Sequence, residues 1–196
     1  PAVALADKLL LSKVRESFGG ELRFFIGGGA LLDKELQRFY IGIGLPMYQG
    51  YGLSEATPVI STNTPDYYRL GSSGKLVQPI QLRICDSEGK ELPLGEQGEI
   101  VVKGENVMLG YYRNEEATRA VFTDDGWFRT GDLGYIDKDG YIFITGRKKN
   151  LIILSNGKNV YPEEIEEYLI ALPGIKESVV LGRKNASGEI VITALI

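Results

Sequence analysis

The sequence predicts a mixed α/β and α+β protein. It comprises a partial α/β subdomain over residues 1–70, a small antiparallel, barrel-like β subdomain over 71–146 and an incomplete small α+β C-terminal domain over 147–196. Three patterns lead there. The run "LRFFIGGGALLDKELQRF" is strand, glycine loop, helix, the unit of open α/β sheets. From about Gly71 to Thr145, short apolar runs alternate with Gly and Asp turns. The end of the chain holds a helix start at Tyr161-Pro162-Glu163-Glu164 and two strand-like runs.

Taken in order, "PAVALADKLLLSKV" reads as the middle of a helix, with Leu10, Val14 and Phe18 on one face and Gly19-Gly20 ending it. It has neither an initiator methionine nor a signal-peptide order of charge, apolar run and cleavage site. The chain is therefore expected to be a piece of something longer. The strand "LRFFI" leads into Gly27-Gly28-Gly29, a helix from about Asp33, and a second strand at "LPMYQGYG". In the β-rich part, "IQLRICDSEGKEL", "GEIVVKG", "GWFRTGDLGYID" and "GYIFITG" are expected strands, with "DSEG" and "DKDG" as hairpin signals. "DKDG" lacks the later acidic ligand of a calcium loop. In the last helix Ile165, Tyr168, Leu169 and Leu172 share a face, and Pro173-Gly174 stops it. "ESVVLG" and "EIVITALI" follow as strands, the last leaving its sheet unfinished.

Composition narrows the function. An apolar fraction of 43% and a charged fraction of 24% are those of a soluble globular protein. Net charge is −4 with no long basic run, so nucleic acid is not an expected partner. There is no histidine, which excludes a Ser-His-Asp or Cys-His mechanism and a His-ligated zinc within these residues. The single cysteine, Cys85, permits no internal disulfide and fits a reducing, cytoplasmic setting; within "IQLRIC" it reads as a small buried hydrophobe. No apolar stretch is long enough to span a membrane, and peripheral membrane contact stays open.

Four motifs carry possible chemistry, each with a plainer alternative. Gly27 to Gly29 either form a tight turn or let backbone lie flat against a planar ring; no Gly-Lys-Ser/Thr follows them. In "MYQGYGLSEATP" the phenol of Tyr51, between Gly50 and Gly52, is surface filler or a stacking face. Ser54 and Glu55 serve as a phosphate donor and a hard Mg²⁺ ligand, or simply cap a helix. Asp132, read as lying in a loop after an aromatic strand, accepts both hydroxyls of a ribose or makes a turn. Arg147, Lys148 and Lys149 form a solvated basic corner or a hinge with an anion-binding arginine. Trp127 is expected in the core.

Order and spacing change this balance. Gly-Gly-Gly-Ala, Tyr-Gly-Leu-Ser-Glu, Phe-Arg-Thr-Gly-Asp and Gly-Arg-Lys-Lys-Asn-Leu-Ile, in that order, resemble the adenylate-forming enzymes: acyl-CoA synthetases, luciferases and peptide-synthetase adenylation domains. The resemblance covers nearly all of the chain, and the stretch from Gly110 to Glu166 looks most like a long-chain fatty acyl-CoA synthetase. It implies that Gly28, Gly29 and Ala30 lie on one side of an adenine and Gly50, Tyr51 and Gly52 on the other. Ser54, standing where the family usually has threonine, would contact the α-phosphate, and Glu55 would bind Mg²⁺. Asp132 would hold the ribose, and Arg147 would reach ribose or phosphate. Lys149 would be the hinge, and Gly157 would line the path of CoA in a loop one residue longer than in shorter-chain relatives.

The implied activity is ATP-dependent activation of a carboxylate to an acyl-adenylate, then transfer to CoA. The substrate is a fatty acid or, alternatively, another carboxylate such as an aryl acid, or the acceptor is an acyl-carrier protein. A non-catalytic interaction domain of the same fold is the reading from another class, and the joint presence of Glu55, Asp132 and Arg147 weighs against it. The family's phosphate loop with its lysine and its C-terminal adenylation lysine have no counterpart here, since Lys184 is in no matching context. One positioned donor is worth about 10²–10³ in rate. This chain alone is therefore expected to release pyrophosphate from ATP and a panel of fatty acids at least about 10²-fold more slowly than a synthetase holding both groups. Comparable turnover would show the boundaries misread.

Overall fold

The computed structural model describes residues 7–185 and 188–196; residues 1–6 of the expected opening helix lie outside them. The chain divides into two compact units that interleave in sequence: Pro1–Leu82, Val102–Phe128 and Ile136–Phe143 in the first, and Arg83–Val101, Arg129–Tyr135 and Ile144–Ile196 in the second. The architecture is mixed α/β with several small sheets, and the described residues form no closed barrel. No helix among the described residues is long and apolar enough to cross a membrane.

A wide turn at Asp7–Leu11 leads into α1 (Ser12–Ser17), which ends at Gly19 and Gly20, both in the left-handed region. The apolar face expected of this helix is not buried: Leu10 and Phe18 are exposed, though the Phe18 ring meets Phe25 edge-on. Next come β1 (Phe25–Gly27), α2 (Lys34–Gly42) and β2 (Met47–Gly52). Asp33 caps α2, its carboxylate accepting from the Leu36 N–H at 2.8 Å. Strands β1 and β2 run parallel in the register Phe25 to Met47 and Gly27 to Gln49, as the strand–glycine–helix pattern predicts.

The chain then reverses. β3 (Val59–Thr62) and β4 (Lys75–Leu76) add antiparallel strands, completing a sheet in the order β1-β2-β3-β4. Leu45, Ala56 and Ile60 are fully buried in this unit, and the expected core residue Trp127 is buried as well. β5 (Gln81–Cys85), β6 (Gly98–Lys103), β7 (Phe128–Ile136) and β8 (Ile142–Arg147) form a second four-stranded sheet in sequential order. Both hairpin signals are turns held by their first aspartate. Asp86 accepts from the N–H groups of Glu88 and Lys90, and Asp137 accepts from those of Asp139 and Tyr141. Arg69 pairs with Asp137 and Asp139 and stacks 4.3 Å above the Tyr141 ring, so the "DKDG" carboxylates are engaged by a guanidinium.

The sequence pattern between β6 and β7 reads as strand and turn only. The structure has α3 there (Glu115–Val121), N-capped by the Asn114 side chain on the Ala117 N–H. The signal was present in "NEEATRAV", an asparagine cap followed by two acids. After β8 come a short turn at Lys148–Asn150, β9 (Ile152–Ile153), β10 (Asn159–Val160), α4 (Pro162–Ile170), and an antiparallel pair of β11 (Val179–Lys184) and β12 (Ile190–Leu195). Pro162 opens α4 as expected, but Tyr168 and Leu172, assigned to its apolar face, are exposed.

Gly74 shows how tightly the first sheet is closed. Its φ is +81°, and a Cβ there would sit 1.9 Å from the Thr62 carbonyl carbon. Gly74→Ala is expected to cost about 3 kcal/mol or more in urea unfolding. Gly19→Ala, at φ +88° with nothing within 4 Å, is expected to cost only about 1–2 kcal/mol.

Candidate functional site

In the first unit the glycine turn and the tyrosine motif leave neighbouring ends of parallel strands, the side of an α/β sheet where ligands collect. Gly28 lies against β2, since a Cβ on it would stand 3.7 Å from the Gly50 carbonyl oxygen, and Gly29 has a φ of +84° with open space beside it. The turn is tied down by a residue that sequence reasoning missed. Gln49 is buried, and its side-chain carbonyl accepts from the Leu32 N–H at 2.9 Å and from Gln37 Nε2 at 3.4 Å. Buried Gln37 in turn donates to the Leu32 carbonyl and accepts from the Gly71 N–H. The usable signal was a glutamine inside an otherwise apolar strand, a polar group that must find partners once buried.

Tyr51 sits on β2 opposite Ser61. The glycines around it are demanded by β3. A Cβ at Gly52 would come within 1.7 Å of the Pro58 carbonyl oxygen, and one at Gly50 within 3.2 Å of the Ser61 carbonyl oxygen. Ser54 and Glu55 lie on a 3₁₀ turn, Ser54–Ala56, preceded by extended Leu53, and no side chain caps it. Capping therefore does not account for the Ser-Glu pair. Glu55 is half-buried and accepts at Oε1 from the Tyr111 hydroxyl at 3.0 Å. Burial first, and the neighbouring Glu55 second, push the Tyr111 phenol above its ordinary range, so it stays a donor.

In the second unit Asp132 is not in a loop. It lies inside β7 and is buried. The misreading came from Gly131, whose φ of +72° bends the strand at that point. The Thr130 hydroxyl accepts from the Asp132 N–H and donates to the Ile100 carbonyl, holding the bend against β6. The structure brings Asp132 and Arg147 together as an ion pair, Nε to Oδ1 at 2.6 Å, with Asp132 enclosed and Arg147 half exposed. The next residue, Lys148, donates to Glu99 Oε2 at 2.8 Å, an oxygen that Arg129 also reaches at 2.8 Å. Glu99 is another buried carboxylate that sequence reasoning passed over. Lys149 is exposed on the Lys148–Asn150 turn, and Gly157 is at the exposed turn between β9 and β10 with a φ of +80°.

Residues 2–112 match the model of the family described as "AMP-binding enzyme". The chain belongs to that family. Over 179 residues, 91% of this chain, it is 44% identical to the long-chain-fatty-acid–CoA ligase FadD15 of Mycobacterium bovis, covering 28% of that protein. It is also 40% identical over 184 residues, 92% of the chain, to a 2-succinylbenzoate–CoA ligase of Bacillus cytotoxicus, covering 38% of it. The crystal structure of ATP-bound MatB from Rhodopseudomonas palustris superimposes with a TM-score of 0.82 at 43% identity, over 91% of this chain and 36% of MatB. This chain thus spans between a quarter and two-fifths of the proteins it matches.

The pairing at Glu99 has a measurable consequence. Burial pushes this carboxyl up, but hydrogen bonds from Arg129 and Lys148 outweigh burial and hold it below the ordinary glutamate range. A carboxyl lowered only in the folded state stabilises the fold above its unfolded value and loses that contribution as the pH falls through the folded one. Urea unfolding from neutral pH down to about pH 3 is expected to show this acid decline. Glu99→Gln is expected to flatten it and to cost about 1–3 kcal/mol at neutral pH, since both cations keep partial access to water.

Proposed function

We propose that this chain supplies the nucleotide and metal contacts of an AMP-forming, ATP-dependent CoA ligase that activates a long-chain fatty acid. One observation carries the reading: the glycine turn and the Ser54–Ala56 turn leave adjacent strand ends, with Gly28 against the Gly50 carbonyl and Tyr51 next in line. The identity to FadD15 supports the fatty acid as substrate.

In this reading the adenine lies between the backbone of Gly28, Gly29 and Ala30 and the Tyr51 ring, with Gly50 and Gly52 keeping the strand bare. Ser54 donates its hydroxyl to the α-phosphate, where negative charge grows as the carboxylate attacks phosphorus and pyrophosphate leaves. Asp132 accepts the ribose hydroxyls, and Arg147, already beside it, turns its remaining donors to ribose or phosphate. Mg²⁺ held at Glu55 would neutralise phosphate charge. The donor set fits, because Mg²⁺ commonly takes one or two carboxylates and completes its sphere with phosphates and water. No cluster of three or more potential metal-ligating side chains occurs among the described residues. Adenylation and thioester formation succeed one another in one site, and Lys149, exposed between β8 and β9, is the pivot of that change; Gly157 lines the path of CoA. Residues 1–70 and 71–146 would then belong to the large domain and 147–196 to the small one.

A second carboxylate class has its own support, the 40% identity to the succinylbenzoate ligase, and substrate profiling separates the two. The nucleotide assignment is tested by calorimetric titration with AMP. Binding is expected, and Tyr51→Ala is expected to weaken it about tenfold, the worth of one stacked base. Absence of heat at millimolar AMP would rule out a preformed adenine site.

A further inference from the structure

We infer that Tyr111 is a positioning residue for Glu55: its phenol occupies one oxygen of that carboxylate and keeps the other available to a divalent cation. The inference rests on the reading of Glu55 as metal ligand. The Tyr111 hydroxyl donates to Glu55 Oε1, while Oε2 receives no hydrogen bond among the described residues. A carboxylate on a free side chain must lose its rotamers on binding a cation, whereas one already fixed has lost them in folding.

The backbone around Tyr111 is built to hold the phenol in place. Its N–H donates to Thr118 Oγ1 at 2.9 Å, its carbonyl accepts from the Asn114 N–H, and Thr118 donates on to the Asn114 carbonyl at 2.8 Å. Gly110 fits only without a side chain, since a Cβ would stand 2.7 Å from Thr118 Cγ2. The preceding residues grip the other side of the Ser54–Ala56 turn. The Met108 N–H donates to the Glu55 carbonyl at 2.7 Å, Asn106 Nδ2 donates to the Ala56 carbonyl at 2.6 Å, and the Thr57 hydroxyl donates to the Asn106 carbonyl. Thr57 adopts a φ of +39°, uncommon for a β-branched residue, and these contacts hold it there. Segment 106–111 is thus fastened to α3 at one end and to the turn bearing Glu55 at the other.

The test uses Mn²⁺ as a paramagnetic probe with ATP, free Mn²⁺ being read by electron spin resonance. Tyr111→Phe is expected to weaken Mn²⁺ binding in the nucleotide complex about tenfold, the scale of one hydrogen bond to a charged group, and to leave metal-free AMP affinity within about twofold. Glu55→Gln is expected to abolish the Mn²⁺ effect. Wild-type Mn²⁺ affinity in Tyr111→Phe, alongside loss in Glu55→Gln, overturns the role of Tyr111 alone. Unchanged affinity in Glu55→Gln, or no Mn²⁺ bound by the wild type, overturns the metal assignment and this inference with it. Should Tyr111→Phe fail to fold, Thr118→Val, which removes the hydroxyl that accepts the Tyr111 N–H, is expected to weaken Mn²⁺ binding in the nucleotide complex several-fold, and wild-type Mn²⁺ affinity in that variant overturns the role of Tyr111.

Discussion

The first unit depends on one buried amide. Gln49 accepts the Leu32 N–H and a Gln37 N–H on its side chain, while its backbone carbonyl accepts both the Asn63 N–H and Asn63 Nδ2. Leu32 follows the glycine turn, Gln37 is on α2, and Asn63 directly follows β3, so one residue of β2 sets the position of three separate segments. An unpaired buried polar group costs about 1–3 kcal/mol. Each of these groups therefore has one arrangement it can accept. Asn63 extends the same logic, donating to the Ser72 carbonyl and accepting from the Arg69 N–H and the Ser72 hydroxyl, which orders the whole connection to β4. This network ties the glycine turn and the end of β3 to the strand that carries Tyr51.

The second unit uses charge for the same purpose. Asp132 and Glu99 are both buried on neighbouring strands, and two consecutive residues answer them: Arg147, the last of β8, pairs with Asp132, and Lys148, the first of the turn after it, with Glu99. Asn150 then donates to Glu163 on the first turn of α4 at 2.7 Å. The backbone around Lys149 is thus fastened on either side, while Lys149 itself is exposed. In both pairs the carboxylate is buried and the cation half exposed, so the carboxylate is the partner that depends on the pairing: left alone it would be a buried, unpaired charge.

Much of the local structure could be read directly from residue types. Asp33 announces α2 by capping it, Pro162 with two acids announces α4, and "DSEG" and "DKDG" turn where an aspartate can accept two N–H groups beyond it. Errors arose where a local signal had two meanings. Gly131 beside Asp132 looks like a loop but is a bend within a nine-residue strand. The exposed faces of α1 and α4 show that apolar periodicity identifies a helix without saying what covers it. "NEEATRAV" was lost among strands because α3 is only seven residues long.

Sequence alone determined most of the elements and turns, the absence of histidine and of an internal disulfide within these residues, and the motif series that marks an AMP-binding enzyme. These follow from backbone preference, side-chain chemistry and spacing, all of which act within a few residues. Tertiary structure decided which polar groups are buried and who satisfies them: Gln49 with Leu32, Glu99 with Arg129 and Lys148, Asp132 with Arg147, Glu55 with Tyr111. A buried amide or carboxylate is tolerable only where a partner from a distant segment meets it. That meeting is a property of the folded chain and of no stretch within it.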